Sequence, residues 1–207
     1  MNEAVDTANN LPAIILLSLW WAFLSTLAVL FNPGESEKPN GPATTPRAAD
    51  TSAVADEPRF SELVRLDPQF SVRVFLDAAR RAYEQILQAY AAADLARLSQ
   101  LLSPEVMRVF ADDCTARGTR HETLDLTFIG MDSVEIEDIR TTPDAMEITV
   151  LFRAEIVSVL RSQSGDILAG HPAAILRTAD LWTFSRPLPV GDEAWIVTAT
   201  DEGPAPA

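Results

Sequence analysis

The sequence predicts an α+β domain of three helices followed by a curved antiparallel sheet, carried behind a single membrane-spanning helix. Three observations lead there. Residues 11–31 are apolar and uncharged, residues 72–117 place apolar side chains at helical spacing, and the remaining half alternates apolar and polar side chains with period two. At 207 residues the chain has room for one domain of ordinary size, roughly 100–150 residues, plus accessory segments.

No residue between Asp6 and Glu35 is charged. A helix over residues 11–31, at about 1.5 Å per residue, spans roughly 30 Å of hydrocarbon. Its apolar surface comes from Leu11, Ile14, Ile15, Leu16, Leu17 and Leu19, the adjacent Trp20 and Trp21, and then Phe23, Leu24, Leu27, Leu30 and Phe31. Pro12 sits where a helix start tolerates a missing N–H, and Asn32, Pro33 and Gly34 stop the helix. Trp20 and Trp21 fall mid-run instead of at the headgroups, facing either lipid or a membrane partner. A cleaved signal peptide fits poorly, because residues 1–10 hold Glu3 and Asp6 and no basic side chain. Lys38 and Arg47 follow the run, so the positive-inside rule directs the carboxyl-terminal domain to the cytoplasm.

Residues 1–10 read as a tail and residues 32–68 as a flexible linker rich in Pro and Ala. Within the linker, FSELVRL at residues 60–66 is either a docked helical turn or disordered. The domain occupies residues 69–201 and a disordered tail residues 202–207.

Thirty acidic residues against 16 basic ones give a net charge of -14, which excludes nucleic acid as a partner, since that affinity rests on Lys and Arg. The alanine-rich, arginine-biased composition, with Lys38 the lone lysine, points to a GC-rich bacterial genome. A single cysteine, Cys114, excludes an internal disulfide, and with only His121 and His171 beside it no Cys/His zinc cage can form. Asp112 and Asp113 precede Cys114 and disfavour a thiolate, so it reads as a buried structural thiol.

The first helix buries Val72, Phe75, Leu76, Ala79, Tyr83, Ile86, Leu87 and Tyr90, with Arg73, Asp77, Arg80, Arg81, Glu84 and Gln88 on its other face. Asp94 caps a short second helix reaching Leu101. Ser103 and Pro104 open a third, which turns Val106, Val109 and Phe110 inward and runs to about Arg117, where Gly118 ends it. Leu124, Leu126 and Phe128 then alternate with polar residues, and Ile148, Val150, Phe152, Ala154 and Ile156 do so again after a turn at residues 142–145. Ile139 breaks the parity of Val134 and Ile136, so a bulge or strand end is expected near Asp138. Further strands are expected at about residues 174–186 and 195–200, completing a meander of four to five long strands.

The helix FLDAARRAYEQILQAYAAADLARLSQLLSPEVMRVF at residues 75–110 and the run TADLWTFSRPLPVGDEAWIVTATDE at residues 178–202 together resemble the Tim44-like family and its bacterial TimA branch. The resemblance implies an NTF2-like cone fold, attachment to the bacterial inner membrane, and adaptor or assembly work on membrane-protein complexes or their precursors. It implies no catalysis; no Gly-rich phosphate loop or carboxylate cluster with metal spacing appears, so no cofactor and no metal are expected. Basic amphipathic helices of the eukaryotic members are missing here, so lipid-headgroup binding is not carried over.

An enzyme of the NTF2-like type, a lyase or isomerase, would need a tuned carboxylate or His beside an oriented partner. His121 and His171 fall in turn-like stretches, and Asp180 shares strand parity with Trp182 and Phe184. Tyr83, Phe110, Phe128, Phe152, Trp182 and Phe184 are either plain core or the lining of an apolar pocket that accepts an apolar peptide or an acyl chain. The rival to an adaptor is a VirB8-like periplasmic scaffold subunit of a secretion machine, with the same single span and the opposite topology.

Deleting residues 1–31 is expected to move the protein from washed membranes to the soluble fraction, because nothing after them is apolar or basic enough to replace that affinity. Fractionation followed by immunoblotting checks this; retention in the membrane would reveal a second anchor.

Overall fold

A computed structural model describes residues 60–204; the expected membrane helix, the tail before it, the linker through residue 59 and residues 205–207 lie outside the described residues. No helix among the described residues is long and apolar enough to cross a membrane. The chain order is α1 (Ser61–Leu66), α2 (Val72–Ala91), α3 (Leu95–Leu98), α4 (Pro104–Thr119), β1 (Thr123–Thr141), β2 (Ala145–Arg161), β3 (Ile167–Gly170), β4 (Leu176–Pro187) and β5 (Ile196–Glu202).

The stretch left open at residues 60–66 is helical. Phe60 and Leu63 are both 0% exposed and belong to the main core, so the folded unit starts ahead of the expected boundary at residue 69. Asp67 closes α1 and accepts the Gln69 N–H at 3.0 Å. The linker reading failed here because seven residues show no partner surface; Phe60 and Leu63 join a core whose other members run from Val72 to Val197.

On α2 the expected face is buried from Val72 to Tyr90, with Leu76 half-buried and Ala89 added. Asp94 caps α3 by accepting the Arg97 N–H at 3.0 Å, and α3 ends at Leu98, short of the expected Leu101. Ser103 caps α4 by accepting the Val106 N–H at 3.4 Å, with Pro104 in the first turn. Gly118 does not end α4. The helix continues to Thr119, and His121 takes the left-handed conformation at φ 52°, while Glu122 N–H returns to the Arg117 carbonyl at 3.0 Å. That is the closing pattern for which glycine is the usual residue.

The sheet is antiparallel throughout, ordered β1-β2-β4-β5, with β3 also on β2. The two apolar stretches expected on either side of residue 130 are one strand of 19 residues. Register shifts at Phe128/Gly130, Met131/Ser133 and Ile136/Asp138 leave Ile129, Asp132 and Glu137 without partners on β2. The last of these is the bulge expected near Asp138; the other two are additional. Each resets the parity. Leu124, Leu126, Phe128, Met131, Val134, Ile136 and Ile139 therefore all oppose even-numbered residues of β2, from Leu160 to Ile148, on the core side. Bulges also bend a strand and raise its twist, so three in one strand curve the sheet around α2.

The short β3 was not expected. It extends the pairing of β2 beyond the end of β4, and Gly170, at φ 80°, brings the chain so close that a Cβ there would collide with the Ser158 carbonyl. At the opposite edge Ser103 N–H donates to Val197 O and Val197 N–H to Leu101 O, each at 2.8 Å, which stitches the α3–α4 connection to β5.

Leu63→Ala is expected to cost about 2–5 kcal/mol by urea unfolding, as for other buried leucines, whereas Glu62→Ala, on the exposed side of α1, stays within about 0.5 kcal/mol. Wild-type stability in Leu63→Ala would detach α1 from the core.

Candidate functional site

The inner face of β4 presents Thr178, Asp180, Trp182 and Phe184, paired across β2 with Ala154, Phe152, Val150 and Ile148. Against them α2 sets Phe75, Ala79 and Tyr83. Tyr83 stacks on Phe152 at 4.7 Å between ring centroids, meets Trp182 at 4.7 Å and touches Phe128 at 6.4 Å. Phe152 continues to Phe184 at 6.2 Å, and Phe184 to Phe75 at 5.7 Å. Five of the six aromatics singled out in the sequence thus converge. Phe110 stands apart, edge-on to Tyr90 at 5.2 Å. Phe128 is half-buried and the other five are buried, so the rings fill the concave face with one another.

A polar cluster sits inside this apolar seam. Tyr83 Oη donates to Asp180 Oδ2 at 2.5 Å and lies 3.1 Å from Thr178 Oγ1. Asp180 is 5% exposed. Burial pushes its carboxyl above the ordinary carboxylate range; hydrogen bonding from Tyr83 and Thr178 pulls the other way, and the negative charge of Glu202, its register partner on β5, raises it further. The Tyr83 hydroxyl is raised as well, first by burial and then by the Asp180 charge, which keeps it a donor. Sequence parity placed Asp180 correctly on the aromatic face. What parity could not supply was Tyr83 as its partner from a helix 97 residues away.

The residue that sequence reasoning missed is Arg117. It is 3% exposed and closes the carboxyl end of α2. Its Nη2 donates to Tyr90 O at 2.6 Å and to Cys114 Sγ at 3.3 Å, its Nε to Asp113 Oδ2 at 3.1 Å, and its guanidinium lies over the Tyr90 ring at 4.6 Å. Asp113 also accepts from Tyr90 Oη at 2.6 Å. A helix end leaves carbonyls without partners, and a cation there satisfies them and opposes the helix dipole. Burial raises the Cys114 thiol above its usual value, the Arg117 charge opposes this, and Asp113 adds to it, so the thiol is structural as expected. The usable signal was the Asp113–Arg117 spacing of four on α4.

Elsewhere Arg186 Nη1 pairs with Asp67 Oδ2 at 3.0 Å and its Nη2 donates to Gly191 O at 2.8 Å, tying α1 to the end of β4. His121 and His171 are exposed. An open, polar hollow of about 430 Å³ between α2 and α3 is lined by Gln85, Asp94, Arg97 and Gln100, away from the aromatic seam. Among the described residues no group of three His, Cys, Asp or Glu side chains could hold a metal ion.

The Tim44-like domain family matches residues 58–202, which is the folded unit from α1 to β5. The chain belongs to the Tim44-like family. No curated protein sequence matches it. Among solved structures it is similar to the intermembrane-space region of the chloroplast protein ARC6, at 10% identity and a TM-score of 0.46, over 61% of this chain and 95% of that one. It is also similar to a putative dehydratase of the NTF2-like family from Streptomyces avermitilis, at 15% identity and a TM-score of 0.35, over 62% and 95% of the two chains. Overlaps this loose carry no function from either structure to this Tim44-like domain.

Two outcomes test the seam. A carboxyl whose folded pKa is raised contributes stability that is complete below its unfolded value, about 3.9, and lost as pH rises through the folded one. Asn is neutral at every pH, so the stability of wild type is expected to fall relative to Asp180→Asn as pH increases above about 4; parallel urea-unfolding curves from pH 4 to 8 would mean that Asp180 is solvated. Trp182→Ala is expected to cost about 3–5 kcal/mol. By the same measurement His171→Ala stays within about 0.5 kcal/mol, and His121→Gly, which suits φ 52°, leaves stability unchanged or raises it.

Proposed function

We propose that this protein is a non-enzymatic, membrane-tethered adaptor of the bacterial TimA branch, with an NTF2-like cone that binds inner-membrane protein complexes or their precursors during assembly. The observation that carries this reading is the family match at residues 58–202, which spans the folded domain. The apolar run at residues 11–31 supplies the tether, and Lys38 and Arg47 favour a cytoplasmic domain. The non-catalytic part draws support from Asp180, which is buried, held by Tyr83 and paired across the sheet with Phe152. An apolar peptide segment or an acyl chain from a client would enter beside Phe128, the half-buried member of the ring cluster.

The test is affinity purification of the full chain from membranes in mild detergent. Subunits of a membrane complex should co-purify, and Phe128→Ser should lose them, with urea unfolding of the same variant separating lost binding from lost fold. Recovery of no membrane protein above background would refute the adaptor reading. Carboxyl-terminal reporter fusions decide the topology: a fluorescent cytoplasmic fusion is expected, and an active alkaline phosphatase fusion would favour the periplasmic VirB8-like scaffold.

A further inference from the structure

We propose that α1 is a displaceable plug, seated in cis in an apolar site that also receives a helical turn of the same chemistry from a client protein. The client rests on the adaptor reading; the plug does not. Phe60 and Leu63 are both 0% exposed and Leu66 packs against the same core, so the segment inserts an apolar side chain at every third residue. Glu62 and Arg65 face solvent and meet each other at 3.6 Å. This is the pattern by which an amphipathic helix lies in a groove.

Little besides those side chains holds the segment. From Glu62 to Leu66 no backbone hydrogen bond joins α1 to another element among the described residues. A helix shorter than about 12–15 residues is marginal alone, so the six residues of α1 are helical because they are docked. The polar tie is Asp67 Oδ2 with Arg186 Nη1 at 3.0 Å, at the end of β4. It is an incomplete tie, since Arg186 Nε is buried with no hydrogen-bond partner among the described residues. A buried donor left unpaired is costly, and water would satisfy it once α1 had left. The apolar anchors draw the segment in, and the orphaned Nε eases its departure.

The site lies at the end of the concave face away from Phe128. Phe70, between α1 and α2, packs on Phe75 at 5.9 Å and on Trp195 at 6.3 Å, whereas Phe128 meets Tyr83 two turns further along α2. Phe70 and Trp195 are half-buried, so undocking α1 opens the core beside rings already at the surface. The segment now bound defines what can replace it: a helical turn with large apolar anchors three residues apart.

The test uses the full chain in detergent micelles and a fluorescein-labelled peptide of residues 60–68 as the probe, with the same peptide carrying Phe60→Ser and Leu63→Ser as control. In wild type the site is filled in cis, so apparent affinity is reduced by the fraction of chains whose α1 is undocked. Asp67→Asn removes the charge of the tie and Leu63→Ala removes an anchor. Each is expected to tighten peptide binding, read by anisotropy, at least about tenfold, and the control peptide should not bind. The wild-type Asp67 N–H, which donates to Leu63 O at 2.7 Å, should exchange at least about tenfold faster than the amides of Tyr83 and Ile86. Equal protection would make undocking inseparable from global unfolding and overturn the plug. Unchanged peptide affinity in both variants, with the α2 amides still protected, overturns it as well. Dimerisation of a variant in place of peptide binding would assign the site to α1 of a second copy and overturn the client. No client enters these measurements, so a purification that recovers no membrane subunit refutes the adaptor reading separately.

Discussion

Everything in this domain is arranged around the contact between α2 and the concave face of the sheet, and that contact is centred on Tyr83. Its ring packs against both Phe152 and Trp182, which also meet each other at 5.7 Å, and its hydroxyl, deep in an apolar seam, needs a partner there. Asp180 supplies it and has the same need in return, since a buried carboxyl is costly without donors. The two groups make each other's burial tolerable. Neither could be placed without the curvature of the sheet, which lets one helix be enclosed instead of lying across a flat surface. That curvature originates in β1, whose three surplus residues bend the strand while returning its apolar side chains to the core side each time.

Polar ties fix the ends of the seam. At the carboxyl end of α2, Arg117 satisfies the carbonyl of Tyr90 and holds Asp113, so α4 is clamped to α2 by a buried cation whose donors are used. Removing one partner of such a group leaves a buried charge, which is far more damaging than the pair is stabilising. At the other end Asp67 and Arg186 join α1 to β4, and the Val197 hydrogen bonds join the α3–α4 connection to β5. The ion pairs on the outer face of the sheet, such as Arg153 with Glu135, are solvent-exposed and add little. Their use is to neutralise a surface that is otherwise strongly acidic.

A Tim44-like domain built this way fills its concavity with its own rings. In the proposed adaptor role, partners would meet the rim, where Phe128 is half-buried. The polar pair in the seam then has a structural explanation that needs no substrate: it fixes the register of α2 along the sheet, because Tyr83 and Asp180 must stay opposite each other. A shift of α2 by one turn would leave a hydroxyl and a carboxyl buried without partners, at a cost of several kcal/mol in all.

The sequence by itself determined the α+β class, the extent of α2 and its buried face, both caps at Asp94 and Ser103, the core parity of β2 and β4, and the bulge near Asp138. It also placed Asp180 among the aromatics. These are local properties, set by periods of 3.6 and 2 and by side chains that bond their own backbone, so they are legible over a few residues. The tertiary structure alone decided the rest. It made residues 60–66 part of the core, merged two apolar stretches into β1 through bulges at Ile129 and Asp132, and formed β3. It also buried Arg117 and separated Phe110 from the aromatic cluster. The reason is common to all of these: each depends on what the segment meets across a gap of many residues, and a side chain's period says which way it faces but not what faces it.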